Sequence, residues 1–148
     1  MTYKKDGFGH EKPNEGETID SLSEDGMFFD LDPCSSLTQP WIISRKAYTI
    51  EQDGLKNNWF GTVYCNPPYG QNVGLWANKM AQHSNGVMLI FARLETSAWF
   101  DNIFNTADGF LFIRGRIVFH KPDGSLPKNK KGQIASAGAP SALVAWGV

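Results

Sequence analysis

Apolar residues along the chain fall into short runs of strand length, and polar or glycine- and proline-containing segments separate them. The run over 87–92 is continuous, which is typical of a strand buried on both faces of a sheet. The run over 27–32 turns acidic as it ends, which is typical of a parallel strand whose carboxyl end faces a ligand crevice. We predict strands over residues 27–32, 59–65, 87–92, 110–113, 117–119 and 141–146.

Helical spacing of apolar residues appears between these runs. Over residues 73–84 they recur three and four positions apart, which predicts an amphipathic helix. Thr96 is a candidate N-cap for a second helix. Residues 42–50 fit either a strand or a helical turn. The order of elements predicts an α/β fold with a mostly parallel sheet, covered on both faces and ending in an antiparallel pair.

The chain of 148 residues is long enough for one domain with a sizeable core. Residues 1–24 are polar and show little periodicity, so we predict a flexible arm there. The single folded domain then spans residues 25–148. Within it, residues 120–134 are polar, basic and glycine-containing, which indicates a mobile surface loop.

Composition and net charge exclude some classes of protein. A formal net charge of -1 argues against a protein that coats nucleic acid through bulk charge, so any such contact must come from a local patch. The two cysteines indicate reduced intracellular thiols, and the three scattered histidines predict no metal site. Because no signal-peptide pattern or long apolar run is present, we predict a cytoplasmic protein without membrane contact.

The segment Asn66-Pro67-Pro68-Tyr69 follows a predicted strand directly. Its two prolines fix φ and remove two backbone donors, so neither a helix nor a sheet ladder can continue through them. The result is a rigid corner that displays an amide, backbone carbonyls and an aromatic ring. A proline-rich turn without further function is the alternative. In a parallel sheet this corner and the acidic end of the strand over 27–32 would lie at the same edge, where ligands bind.

An ordered set of segments resembles the phage-type DNA N6-adenine methyltransferase family from about residue 28 to the C-terminus. Asn-Pro-Pro-Tyr is similar to the catalytic tetrapeptide of amino-methyltransferases, and release-factor glutamine methyltransferases share it. The resemblance implies a Rossmann-like methyltransferase fold of reduced size that uses S-adenosylmethionine and acts on double-stranded DNA. The segments that carry it are Phe29–Cys34, Gly54–Leu55, Trp59, Gly61, Asn66–Gly70, Trp76, Ala92–Thr96 and Gly115–Phe119.

The resemblance gives the tetrapeptide a role that suits its chemistry. The exocyclic amine of adenine is a poor nucleophile because its lone pair is delocalised into the ring. Asn66 Oδ1 and the Pro67 carbonyl would accept the two amine hydrogens and stabilise the positive charge that develops on nitrogen. Tyr69 would stack on an adenine flipped out of the duplex, and Pro68 beside it is a further candidate for substrate binding.

For S-adenosylmethionine, the resemblance implies a carboxylate at the end of the first strand, where it suits the methionine ammonium or the ribose hydroxyls. Asp32, beside Pro33 in the family's acidic-Pro loop, is the first candidate, and Asp30 is the second. Asp53 matches the place where relatives contact the cofactor adenine. The alternatives are a solvated acidic strand end for Asp30 and Asp32 and a simple Asp-Gly turn for Asp53.

Basic residues concentrate late in the chain, and the resemblance implies that Arg116, Lys121, Lys128 and Lys130 contact DNA phosphates. A solvated loop is the alternative, with a structural role for Arg116. Arg93 and Glu95 also follow a predicted strand at the same edge, where pairing with each other explains them equally well.

Two other functions fit the same residues. A protein glutamine or RNA methyltransferase would use the same tetrapeptide. A catalytically inactive DNA-binding relative fits a departure from the family pattern, because no Thr-Pro segment precedes the first predicted strand.

Overall fold

The computed structural model describes residues 28–38 and 42–147 of the chain. In chain order, the elements there are β1 (Phe29–Asp32), β2 (Ser44–Ala47), β3 (Val63–Cys65), α1 (Val73–His83), β4 (Gly86–Phe91), α2 (Ser97–Asn102), β5 (Gly109–Phe112) and β6 (Ser141–Trp146). The predicted arm over 1–24 lies outside the described residues. No helix in the described part of the chain has the length and apolar character needed to cross a membrane.

The strands form one six-stranded sheet in the order β2-β1-β3-β4-β6-β5. β1 pairs in parallel with β2 and β3, and β3 pairs in parallel with β4. β6 lies antiparallel between β4 and β5. The predicted α/β fold, with a parallel part and antiparallel C-terminal strands, is therefore confirmed. Because β1, β3 and β4 run in the same direction, their carboxyl ends meet at one edge of the sheet.

The core lies between this sheet and the two helices. β4 contributes Met88 and Ile90, and β6 contributes Val144 and Trp146, all at most 2% exposed. These residues lie on one face because side chains alternate along a strand. The helices pack against each other, and α1 also packs against β4. The residues that join this core are Trp76, Ala77 and Met80 from α1, Trp99 from α2 and Ile103 just after α2.

The opposite face of the sheet carries no helix within residues 28–38 and 42–147. Leu111 and its cross-strand partner Leu143 lie on this face. Leu111 is 61% exposed there, and Leu143 is half-buried. The predicted cover of both faces is therefore confirmed for one face and stays a prediction for the other.

Residues 117–119 do not form the predicted strand. After β5 the chain bends at Gly115, whose φ of 82° is favourable for glycine, and it leaves the sheet edge. The Ala137 N–H donates to Ile117 O at 2.8 Å, but no strand ladder forms there. The ring of Phe119 packs instead against Tyr69, so the apolar character of this segment serves a cluster of rings and not a sheet.

The other predicted elements form with shifted boundaries. The ambiguous stretch 42–50 contains strand β2, and the predicted strand over 59–65 shortens to β3. Thr96 precedes α2 with extended backbone, as an N-cap does, but its hydroxyl donates to Arg93 O at 2.8 Å and makes no capping bond. Residues 120–134 are mostly exposed and contain two turns closed by backbone hydrogen bonds.

Candidate active site

Three chain segments meet at the carboxyl edge of the parallel strands. β1 ends at Asp32, β3 leads directly into Asn66, and β4 leads into Arg93. The Sγ atoms of Cys34 and Cys65 lie 3.7 Å apart and join the loop after β1 to the end of β3. The predicted cofactor-binding and catalytic segments therefore lie side by side.

The Asn-Pro-Pro-Tyr segment forms the predicted corner at the end of β3. Pro67 is fully buried, Pro68 is exposed, and Asn66 is half-buried. The Tyr69 hydroxyl lies 3.2 Å from Asn66 Oδ1 and 3.2 Å from Leu89 O, so it can donate its one hydrogen to either acceptor. The amide oxygen of Asn66 thus has a hydrogen-bond donor next to it in this structure.

The ring of Tyr69 belongs to an aromatic cluster. It stacks on Phe91 with centroids 3.9 Å apart and planes at 12°, and the edge of Phe119 lies 5.5 Å away. Burial, followed by the nearby Tyr64, raises the pKa of Tyr69 well above its ordinary value, so its hydroxyl stays a neutral donor. Sequence reasoning missed Phe91 and Phe119 as site residues, since both were assigned to predicted strands.

Asp32 is the buried carboxylate of the site, at 9% exposure. Its Oδ1 accepts a hydrogen bond from the Cys34 N–H at 3.0 Å, and no lysine, arginine or histidine of the described residues lies within salt-bridge distance. Burial raises the pKa of Asp32 to about 6, although hydrogen bonds from Cys34 and Ser35 oppose the shift. A cation or additional hydrogen-bond donors would therefore stabilise the ionised form of this side chain.

The other two predicted carboxylates have protein partners. Asp30 Oδ2 accepts from the Thr62 N–H at 2.8 Å, and Asp30 Oδ1 lies 3.8 Å from Arg45 Nε. Asp53 Oδ2 lies 3.1 Å from Lys56 Nζ, and hydrogen bonding with that lysine holds the pKa of Asp53 below its ordinary value. Asp30 thus ties β1 to the chain before β3, whereas Asp53 lies half-buried in its turn and pairs with Lys56.

The turn after Asp53 packs directly on the loop that follows β1. A Cβ added to Gly54 would lie 1.8 Å from Pro33 O, so only glycine allows this approach. Pro33 itself is fully buried. Gly54, the neighbour of Asp53, therefore contacts Pro33, the neighbour of Asp32.

Of the predicted DNA-contacting side chains, one precedes Phe119 in the chain and three follow it. Arg116, Lys121, Lys128 and Lys130 are all exposed. No carboxylate in the described part of the chain lies within salt-bridge distance of them. Since Phe119 contacts Tyr69, this basic segment starts beside the Asn-Pro-Pro-Tyr corner.

A cavity of about 420 Å³ opens between Tyr69 and α2. Its walls are mainly apolar and aromatic, and Arg93 is the one cationic side chain that lines it among the described residues. Among the described residues, no three His, Cys, Asp or Glu side chains are grouped so that they could hold a metal ion. The residues that line the cavity are Tyr69, Gly70, Val73, Ile90, Phe91, Arg93, Thr96, Ala98 and Trp99.

Fold and site together define a class of protein. It is a small α/β domain that presents Asn-Pro-Pro-Tyr and a buried strand-end carboxylate at one edge of its sheet, as the resemblance to amino-methyltransferases implies. The family model described as DNA N-6-adenine-methyltransferase (Dam) matches residues 19–147. The chain belongs to this family, which confirms the family assignment from the sequence. Neither the curated proteins nor the solved structures contain a match to the chain.

Proposed function

We propose that this protein transfers a methyl group from S-adenosylmethionine to the N6 amine of an adenine in DNA. The observation that carries the proposal is the family match over residues 19–147, which places the Asn-Pro-Pro-Tyr corner in a family of that activity. The six-stranded α/β sheet is compatible with a Rossmann-like methyltransferase fold, and we propose that fold as well.

Asn66 acts on the target amine in this proposal. Its Oδ1 accepts one amine hydrogen and the Pro67 carbonyl accepts the other, so the nitrogen lone pair is turned toward the methyl donor. As positive charge develops on nitrogen, the two fixed dipoles stabilise it, and one such dipole contributes about 3 kcal/mol to lowering a barrier. Pro67 is fully buried, which supports a fixed position for its carbonyl.

Tyr69 holds the base in this proposal, and its present contacts show what the base must replace. The Tyr69 hydroxyl lies 3.2 Å from Asn66 Oδ1, and one ring face is covered by Phe91 at 3.9 Å. An adenine amine that enters the site therefore takes the place of the Tyr69 hydroxyl on Asn66. The hydroxyl keeps a partner because Leu89 O is equally close.

Asp32 fits the cofactor best among the three predicted carboxylates. It is buried without a cationic partner among the described residues, and burial raises its pKa, so the protein alone stabilises its charge poorly. S-adenosylmethionine, when bound, supplies the electrophilic methyl group and donors for such a carboxylate. Asp30 already accepts a hydrogen bond from Thr62 and pairs with Arg45, so we propose a structural role for it. Asp53, half-buried in the turn that packs on Pro33 through Gly54, remains a proposed contact.

The exposed cations on either side of Phe119 in the sequence complete the proposal. Arg116, Lys121, Lys128 and Lys130 would neutralise DNA phosphates, a contact that positions the duplex and carries no sequence information. Such contacts make binding strongly dependent on salt, with affinity falling as ionic strength rises. They explain how a protein with a formal net charge of -1 holds DNA.

Substitution of Asn66 tests the proposal. Asn66→Ala should lower the rate of methyl transfer to DNA by about 100- to 1,000-fold because one fixed dipole is lost. The fold should stay intact, since Asn66 is half-buried and the Tyr69 hydroxyl retains Leu89 O. Asn72→Ala is the matched control, because Asn72 is exposed and makes no side-chain capping bond. Wild-type activity in the Asn66→Ala protein would refute the role of Asn66.

A further inference from the structure

The cavity beside Tyr69 has the size and the lining of a ligand site. Its volume of about 420 Å³ lies within the range of roughly 300–1,000 Å³ in which proteins enclose small molecules. Three aromatic side chains contribute to the wall, those of Tyr69, Phe91 and Trp99. Flat apolar walls of this kind accept a planar ring, and they offer little to a charged or extended ligand.

Among the residues that the structure describes, Arg93 is the one cation that lines the cavity. Its backbone is held on both sides, because its N–H donates to Phe91 O at 2.8 Å and its carbonyl accepts from Thr96 N at 3.1 Å and Thr96 Oγ1 at 2.8 Å. Its side chain is exposed, and within residues 28–38 and 42–147 no carboxylate, including that of Glu95, lies within 4 Å of it. The pairing with Glu95 that the sequence allowed is therefore absent.

This combination of walls and charge identifies a class of ligand. A guanidinium offers a planar fork of donors that matches a phosphate in a bidentate geometry. A ligand that presents a planar base to the aromatic walls and an anion to the rim is a nucleotide. We propose that Arg93 binds the phosphate of the target adenine nucleotide and so positions its base beside Asn66. This inference rests on the proposed function and adds a positioning residue to it.

The test compares two probes that differ only by the phosphate, deoxyadenosine and deoxyadenosine 5′-monophosphate. Dissociation constants are measured from the change in tryptophan fluorescence, because Trp99 lines the cavity. The wild-type protein should bind the monophosphate about tenfold more tightly than the nucleoside, as expected for one charge-assisted contact at an exposed rim. Arg93→Ala should abolish this ratio and leave the dissociation constant of deoxyadenosine unchanged.

Two further variants separate a phosphate contact from a general effect of charge or folding. Arg93→Lys should retain part of the ratio, because lysine keeps the charge and loses the bidentate fork. Arg45→Ala, the matched control on the edge strand β2, removes a 51% exposed arginine and should leave the ratio unchanged. Equal affinity of the wild type for both probes, binding of neither probe, or equal weakening of both by Arg93→Ala would overturn the proposal.

Methyl transfer to DNA by the wild-type protein, measured in parallel, keeps the two proposals distinguishable. Transfer to DNA without a preference for the monophosphate refutes the role of Arg93 alone. A preference for the monophosphate that depends on Arg93, in a protein without transfer to DNA, supports the phosphate site and refutes the proposed function.

Discussion

Replacement of Asp32 by asparagine should stabilise the cofactor-free protein at neutral pH. The carboxylate is 9% exposed and burial raises its pKa from 3.8 to about 6. Each tenfold change in proton affinity corresponds to about 1.4 kcal/mol, so the ionised form costs the folded state on the order of 3 kcal/mol. Asparagine carries no charge, and its Oδ1 can still accept the hydrogen bond from the Cys34 N–H.

The direction in which stability changes with pH follows from the same shift in the pKa of Asp32. Because the pKa of Asp32 is higher in the folded chain than in the unfolded chain, the folded protein binds more protons between about pH 4 and pH 6. The contribution of Asp32 to stability is therefore fully present below about pH 4, and it is lost as the pH rises to about 6. Asp32→Asn should remove this contribution to the change of the free energy of unfolding with pH. The contributions of the other titratable groups should stay.

Urea unfolding of both proteins, followed by fluorescence at several pH values, measures these free energies by linear extrapolation. Calorimetric titration with S-adenosylmethionine should show that Asp32→Asn loses cofactor affinity while it gains stability. Asp53→Asn is the control, because the pKa of Asp53 is lowered beside Lys56 and neutralisation should not stabilise the fold. An Asp32→Asn protein that is less stable than the wild type at neutral pH would refute the reasoning.

Two other substitutions test the geometry of the site. Tyr69→Phe removes the hydroxyl that lies between Asn66 Oδ1 and Leu89 O, so the free energy of unfolding should fall by about 1 kcal/mol; a loss of several kcal/mol by urea unfolding would contradict these contacts. Gly54→Ala places a Cβ 1.8 Å from Pro33 O, so it should lower the melting temperature clearly. Gly138→Ala is its control, because nothing lies within 4 Å of the added Cβ, and equal effects of the two would show that the close approach to Pro33 is absent.

The local pattern of apolar and polar residues was sufficient to predict most of the helices and strands. The helical spacing over 73–84 and the continuous apolar run over 87–92 correspond to α1 and β4 within one residue at each end. The prediction of a strand over residues 117–119 was wrong, because a short apolar run does not show which other segment it packs against. The segment lies beyond the turn at Gly115 and supplies Phe119 to a ring cluster. Strand propensity depends on such tertiary context.

The sequence allowed the residues of the site to be predicted, but not the contacts that these residues make. The Asn-Pro-Pro-Tyr corner and Asp32 carry chemistry that their order along the chain reveals. The stacking of Tyr69 on Phe91 depends on the placement of β4 beside β3, which only the folded sheet provides. In the same way, the sequence ranked Asp32 before Asp30 but could not show the contact of Asp30 with Arg45, because that contact depends on the pairing of β1 with β2.

The central claim is methyl transfer to adenine in DNA, and one measurement tests it most directly. The wild-type protein is incubated with S-adenosylmethionine tritiated at the methyl group and with unmethylated double-stranded DNA. The DNA is then digested to nucleosides and separated. The label should appear in N6-methyldeoxyadenosine. Label in protein or RNA with none in DNA, or no label in any acceptor, would contradict it.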